Sequence, residues 1–142
     1  MGNCWRGISD AKLQEYELRM LSHSGMDVEA EFTFRNVRID SSGNFVRMLE
    51  VGDASKPVLV LIHGYGGSAI MFWKIFKPLA ANFRVLALDI LGMGGSSRPS
   101  FKIKDPDEAD NYLVEWLEAW RLNVVDGGLS GFNWQATLSV VT

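Results

Sequence analysis

Three kinds of hydrophobic pattern run along this chain. From Ala11 to Leu21, Leu13, Tyr16, Met20 and Leu21 recur at helical spacing, with Leu18 off the stripe and Asp10 where a cap belongs. Glu29 to Ile39 alternates instead, with Ala30, Phe32, Phe34, Val37 and Ile39 apolar and an irregularity at Arg35-Asn36. That alternation predicts a strand. Ser41 to Asn44 predicts a turn, and Phe45 to Val51 a second strand that closes a hairpin. Two unbroken apolar runs follow, Val58 to Ile62 and Arg84 to Asp89. Such runs fit strands buried on both faces of a parallel sheet. Ala69 to Ala81 lies between them and predicts the crossover helix of a right-handed βαβ unit, kinked or shortened near Pro78. Asp107 to Leu122 predicts a further helix, with Tyr112, Leu113, Trp116, Leu117 and Trp120 on one stripe.

Composition narrows the class. The 142 residues suit one domain, and 47% hydrophobic with 22% charged residues is a globular balance. A net charge of −3 offers no basic excess for nucleic acid. The single cysteine, Cys4, gives no internal disulfide, which favours a cytoplasmic setting. No run of about 18 apolar residues predicts a membrane span. Gly2 and Cys4 resemble a dual acylation site. Arg6, however, stands where the myristoylation pattern takes Ser or Thr, so an unmodified terminus is the plainer reading.

Two glycine-rich loops carry the candidate chemistry. The first, His63-Gly64-Tyr65-Gly66-Gly67-Ser68, follows the first apolar strand. Ligands in open α/β sheets sit beyond the carboxyl ends of the strands. Bare backbone N–H groups there can stabilise the oxyanion of a tetrahedral intermediate. The Tyr65 N–H is the candidate donor; a plain strand-to-helix turn is the alternative. His63 suits a proton shuttle, but a histidine before glycine more often holds its loop by hydrogen bonds. The loop lacks the phosphate-binding glycine motifs, which argues against a nucleotide. The second loop, Asp89-Ile90-Leu91-Gly92-Met93-Gly94-Gly95-Ser96-Ser97-Arg98-Pro99, starts on an acid. With no companion carboxylate or histidine, Asp89 fits loop fixation better than base catalysis or metal binding. No metal or cofactor is expected.

HGYGG, then DILGMGGSSRP, then a tryptophan-bearing amphipathic helix resembles the α/β-hydrolase family. The LGMGGSSRPSF segment, the acidic stretch after it and Tyr112 to Arg121 resemble its lipid-acting subgroup over roughly residues 10–133. That subgroup includes a lipid-droplet lipase co-activator and deacylases of N-acyl phosphatidylethanolamine. The resemblance implies a truncated α/β fold: an N-terminal β-hairpin, parallel strands and flanking helices. Residues 1–142 would be the N-terminal half of one domain, with residues 1–24 an extension and helix. It also implies that Tyr65 supplies an oxyanion-hole N–H. His63, Gly64, Gly66, Gly67, Asp89, Gly92, Gly94 and Ser96 would shape the loops. The implied substrate is a lipid acyl ester or amide, cleaved through an acyl-serine. Some members are acyltransferases or non-catalytic regulators instead. Peripheral contact with membranes or lipid droplets belongs to the same expectation.

The family pattern breaks after residue 130. A G-x-S-x-G elbow should follow the next strand, which Phe132-Asn133-Trp134 would begin, and none is present. Ser130 precedes a single glycine and Ser139 has no flanking glycine, so neither reads as a nucleophile. The acid and histidine of a triad are absent as well. The tail at 134–142 contains a reason. Its codons, read one base out of frame, admit Leu-Ala-Gly-His-Ser-Phe-Gly-Gly-Tyr directly after Gly-Phe-Asn. That is a strand end followed by a serine elbow. One deleted pyrimidine in an Asn-Leu codon pair would produce the present sequence. A frame-shifted tail, an incomplete sheet and an inactive product are therefore expected.

Overall fold

The computed structural model describes residues 9–124 and the backbone of Ser139–Val140. The first helix, α1, runs Asp10–Leu21 and is capped one residue earlier than the sequence predicts. Ser9 Oγ accepts the Lys12 N–H at 3.3 Å, which leaves Asp10 in the first turn, where a negative charge suits the helix dipole. The buried line also differs from the predicted stripe. Glu17 and Leu21 are buried, whereas Tyr16 and Met20 face solvent. The line through Leu13, Glu17 and Leu21 has i, i+4 spacing, and its central member is a buried carboxylate.

A single helical turn, α2 (Val28–Glu31), replaces the predicted start of the first strand. Asp27 Oδ1 accepts the N–H groups of Glu29 and Ala30, and the Glu31 carboxylate accepts the Asp27 N–H at 2.6 Å. These local bonds hold Glu29 to Glu31 in a turn that alternation alone does not reveal. Strand β1 is Phe32–Arg38 and pairs antiparallel with β2, Phe45–Val51, one residue against one throughout. The irregularity at Arg35-Asn36 is thus a change of buried face, with no bulge. Phe32 and Phe34 pack on one side of the sheet, Val37 and Ile39 on the other.

Strand β3 (Val58–Ile62) leads through a 3-10 turn, Ala69–Phe72, into α3, Trp73–Ala80. The predicted crossover helix is thus split, and Pro78 lies inside α3. Strand β4 (Arg84–Leu88) pairs parallel with β3 and antiparallel with β2. Helix α4 (Pro106–Asn123) is capped by Asp105, with Pro106 at its first position, where the missing N–H costs nothing. The backbone of β5, Ser139–Val140, pairs parallel with Leu61 and Ile62. The strand start expected at Phe132-Asn133-Trp134 lies outside the described residues. Sheet order is β1-β2-β4-β3-β5.

Two apolar cores follow from this mixed sheet. One holds Leu21, Leu49, Val51, Phe72 and Phe76 beneath α1 and α3; the other holds Val46, Met48, Leu86 and Leu88 beneath Trp116 and Trp120 of α4. Of the predicted α4 stripe, the two tryptophans are buried and Leu113 is exposed. Helices on both faces leave the carboxyl ends of β3 and β4 as the place where loops can assemble a site.

Candidate functional site

The first loop turns tightly. Gly67 N–H donates to Gly64 O at 3.1 Å, and Gly66 has φ of +72°. A positive φ at the third turn position is the type II pattern, and glycine adopts it without strain. Tyr65 occupies the tip, 98% exposed, so its phenol packs against nothing. Its backbone N–H makes no hydrogen bond among the described residues.

His63 is buried beneath this turn. The Ile90 N–H donates to its Nε2 at 3.0 Å, which leaves the ring proton on Nδ1, facing Gly64 O at 2.7 Å. Both ring nitrogens are therefore engaged, one on each loop. Asp89 Oδ1 lies 3.9 Å from Nε2, but the lone pair of that nitrogen already accepts from Ile90. The two residues do not form a proton relay.

Asp89 is buried and binds backbone on both sides. Its Oδ1 accepts the Ala69 N–H and its Oδ2 the Gly95 N–H, each at 2.7 Å. Gly94 has φ of +50°, and a Cβ there would overlap the Asp89 carboxylate. Gly92 N–H donates to Ser97 O at 2.8 Å. Ser96 Oγ donates to Asp89 O at 2.7 Å and accepts the Arg47 N–H at 2.8 Å. The second loop is thus fastened to β2, and through Asp89 and His63 to the first loop. Among the described residues, no group of three or more His, Cys, Asp or Glu could hold a metal ion.

Sequence reasoning missed the pair beneath these loops. Arg47 of β2 binds Glu17 of α1 at 2.5 Å and lies over the Phe34 ring. Burial pushes the Glu17 carboxyl above its usual range, partly offset by Arg47. The signal was a lone acid between Leu13 and Leu21 on one helical line. Ser130 lies outside the described residues, and so does the side chain of Ser139.

A family model for the α/β hydrolase fold matches residues 57–126, the span from the approach to β3 through α4. The chain belongs to the α/β-hydrolase fold family. It is 38% identical over 115 residues to the rat 1-acylglycerol-3-phosphate O-acyltransferase ABHD5, covering 80% of this chain and 31% of that protein. It is 45% identical over 69 residues to a probable 1-acylglycerol-3-phosphate O-acyltransferase of rice, covering 49% of this chain and 17% of the relative. The chain therefore spans less than a third of the length of these relatives. Among solved structures, a bacterial membrane phospholipase A superposes with a TM-score of 0.59 at 24% identity, over 80% of this chain and 32% of that one. That likeness concerns the fold. A Rhodococcus 2-hydroxy-6-oxo-6-phenylhexa-2,4-dienoate hydrolase superposes with a TM-score of 0.53 at 28% identity, over 63% and 32% of the two chains. The fold read from the two loops and the apolar strands is the observed one, and the relatives are lipid-related, as the subgroup resemblance implied.

Proposed function

We propose that this chain is the N-terminal part of a lipid-acting serine hydrolase or acyltransferase, contributing one half of an oxyanion hole through the Tyr65 N–H. The observation that carries the reading is the N–H at the tip of a glycine turn beyond β3, unbonded among the described residues, in a loop fastened by His63 at Gly64 and by Asp89 at Ala69. When a nucleophile attacks an acyl carbonyl, negative charge develops on the carbonyl oxygen. A fixed N–H aimed at that position stabilises the transition state more than the ground state. Gly64, Gly66, Gly67, Gly92, Gly94 and Ser96 would keep the loops in the shape this requires. The acyl substrate is assigned as lipid because relatives with substantial identity are called 1-acylglycerol-3-phosphate acyltransferases. Peripheral contact with a membrane or lipid droplet fits such a substrate; no helix among the described residues is long and apolar enough to cross a membrane.

The 142 residues as written contain no elbow, so in this form the reading is of an inactive product. The tail from residue 134 fits a one-base shift of frame from a serine elbow. The deciding assay uses protein translated from the restored frame, given lysophosphatidic acid with acyl-coenzyme A, then phospholipids alone. Transfer or release of the acyl group is expected. If lipid acyl groups stay intact while short water-soluble esters are cleaved, the lipid assignment fails.

The missing elbow favours a second reading, that of a lipid-binding regulator of the same fold without chemistry. It predicts that the transcript encodes the tail as written and that this chain binds lipid without turning over any ester.

A further inference from the structure

Helix α1 lies outside the matched family segment, yet it borders the candidate site. A groove of about 360 Å³ opens between the two loops and is closed on one side by the first turns of α1. Gly66 and Gly67 line it from the first loop, Gly94 and Gly95 from the second, and Asp10 and Leu13 from the helix. Leu13 is only half-buried, and Met71, which also lines the groove, is exposed. A Cβ on Gly95 would overlap the Arg47 side chain and stand 3.2 Å from the Leu13 side chain, so glycine makes room here for Arg47, with Leu13 of α1 just beyond it. The helix is anchored one turn further along, where Glu17 meets Arg47 and Leu21 enters the core.

We infer that α1 forms a wall of an acyl-chain groove, with Leu13 and Met71 as its two apolar contacts. This rests on reading the loops as an acyl-transfer site. A methylene chain needs no hydrogen bonds. It would bury the exposed parts of Leu13 and Met71, a gain proportional to the apolar area covered. The flexible thioether of Met71 can adapt to chains of different length. The floor is glycine backbone, and the charged groups on the lining, Asp10 and Arg98, suit a polar head rather than a tail.

The test uses this chain with Cys4→Ser, carrying Leu13→Cys, Met71→Cys or Tyr16→Cys, each checked for fold by circular dichroism. Maleimide labelling rates are measured without and with monomeric lauroyl glycerol phosphate. Saturating lipid should slow labelling about tenfold or more at positions 13 and 71 and leave position 16 unchanged. Protection at 71 but not at 13 overturns the role of α1 and leaves the acyl groove standing. Protection at 13 alone, or at all three positions, overturns the groove as drawn. Protection at none overturns the acyl-site reading together with the inference.

Discussion

Glu17 and Arg47 join the N-terminal helix to the second strand of the sheet through an ion pair of 2.5 Å, both side chains largely buried. The Arg47 backbone binds Ser96 and Asp89, so one residue connects α1 to the loop that closes the candidate site.

This pair gives a pH prediction. Burial is the largest influence on Glu17 and raises its carboxyl above the ordinary 4.5, against the pull of Arg47. The folded state then holds a proton that the unfolded state has released, so stability falls as pH rises through this range. The contribution is full below 4.5 and lost as pH passes the folded value. Glu17→Gln should flatten the dependence of Tm on pH above 4.5. An unchanged slope in thermal melts of the variant would remove Glu17 as its source.

Asp89→Asn should destabilise the chain by about 1–3 kcal/mol, because the amide can accept only one of the two backbone N–H groups and points its own hydrogens at the other. Urea unfolding followed by circular dichroism measures this. A neutral result would mean that the loop refolds around the amide.

The two variants of Tyr65 separate its backbone from its phenol. In protein from the restored frame, Tyr65→Phe should keep most activity, since the exposed ring contacts nothing and the N–H survives. Tyr65→Pro should lose about 10²-fold or more in kcat. Equal losses in both would assign the role to the hydroxyl.

The chain as written should hydrolyse short- and long-chain nitrophenyl esters no faster than background. Its sequence lacks the elbow, and the catalytic groups of a triad act as a unit. Turnover abolished by Ser130→Ala or Ser139→Ala would reveal a nucleophile not recognised above. Turnover surviving both would point to other chemistry.

Restoring one base in the codons around Asn133 and Trp134 should open a frame that reads His-Ser-Phe-Gly-Gly and continues through an acid and then a histidine. Sequencing the transcript and its genomic locus measures this directly. An immediate stop in that frame would make the elbow match a coincidence of codon degeneracy.

The sequence by itself determined the parallel strands, the hairpin, the two loops and the family, because continuous apolar runs and glycine clusters are local signals. Val58 to Ile62 and Arg84 to Leu88 can be satisfied only by burial on both faces, as the structure has them. Contacts between distant segments were not legible in that way. Alternation could not tell that Asp27 folds Glu29 to Glu31 into a turn, nor that β1 changes its buried face between Phe34 and Val37. Helical periodicity placed Tyr16 and Met20 inward. Tertiary packing turned Glu17 inward instead, since a carboxylate can be buried where an arginine 30 residues away meets it. The engagement of His63 and Asp89 was likewise decided in three dimensions. Their partners, Ile90, Ala69 and Gly95, come from both loops, which only the pairing of β3 with β4 brings side by side.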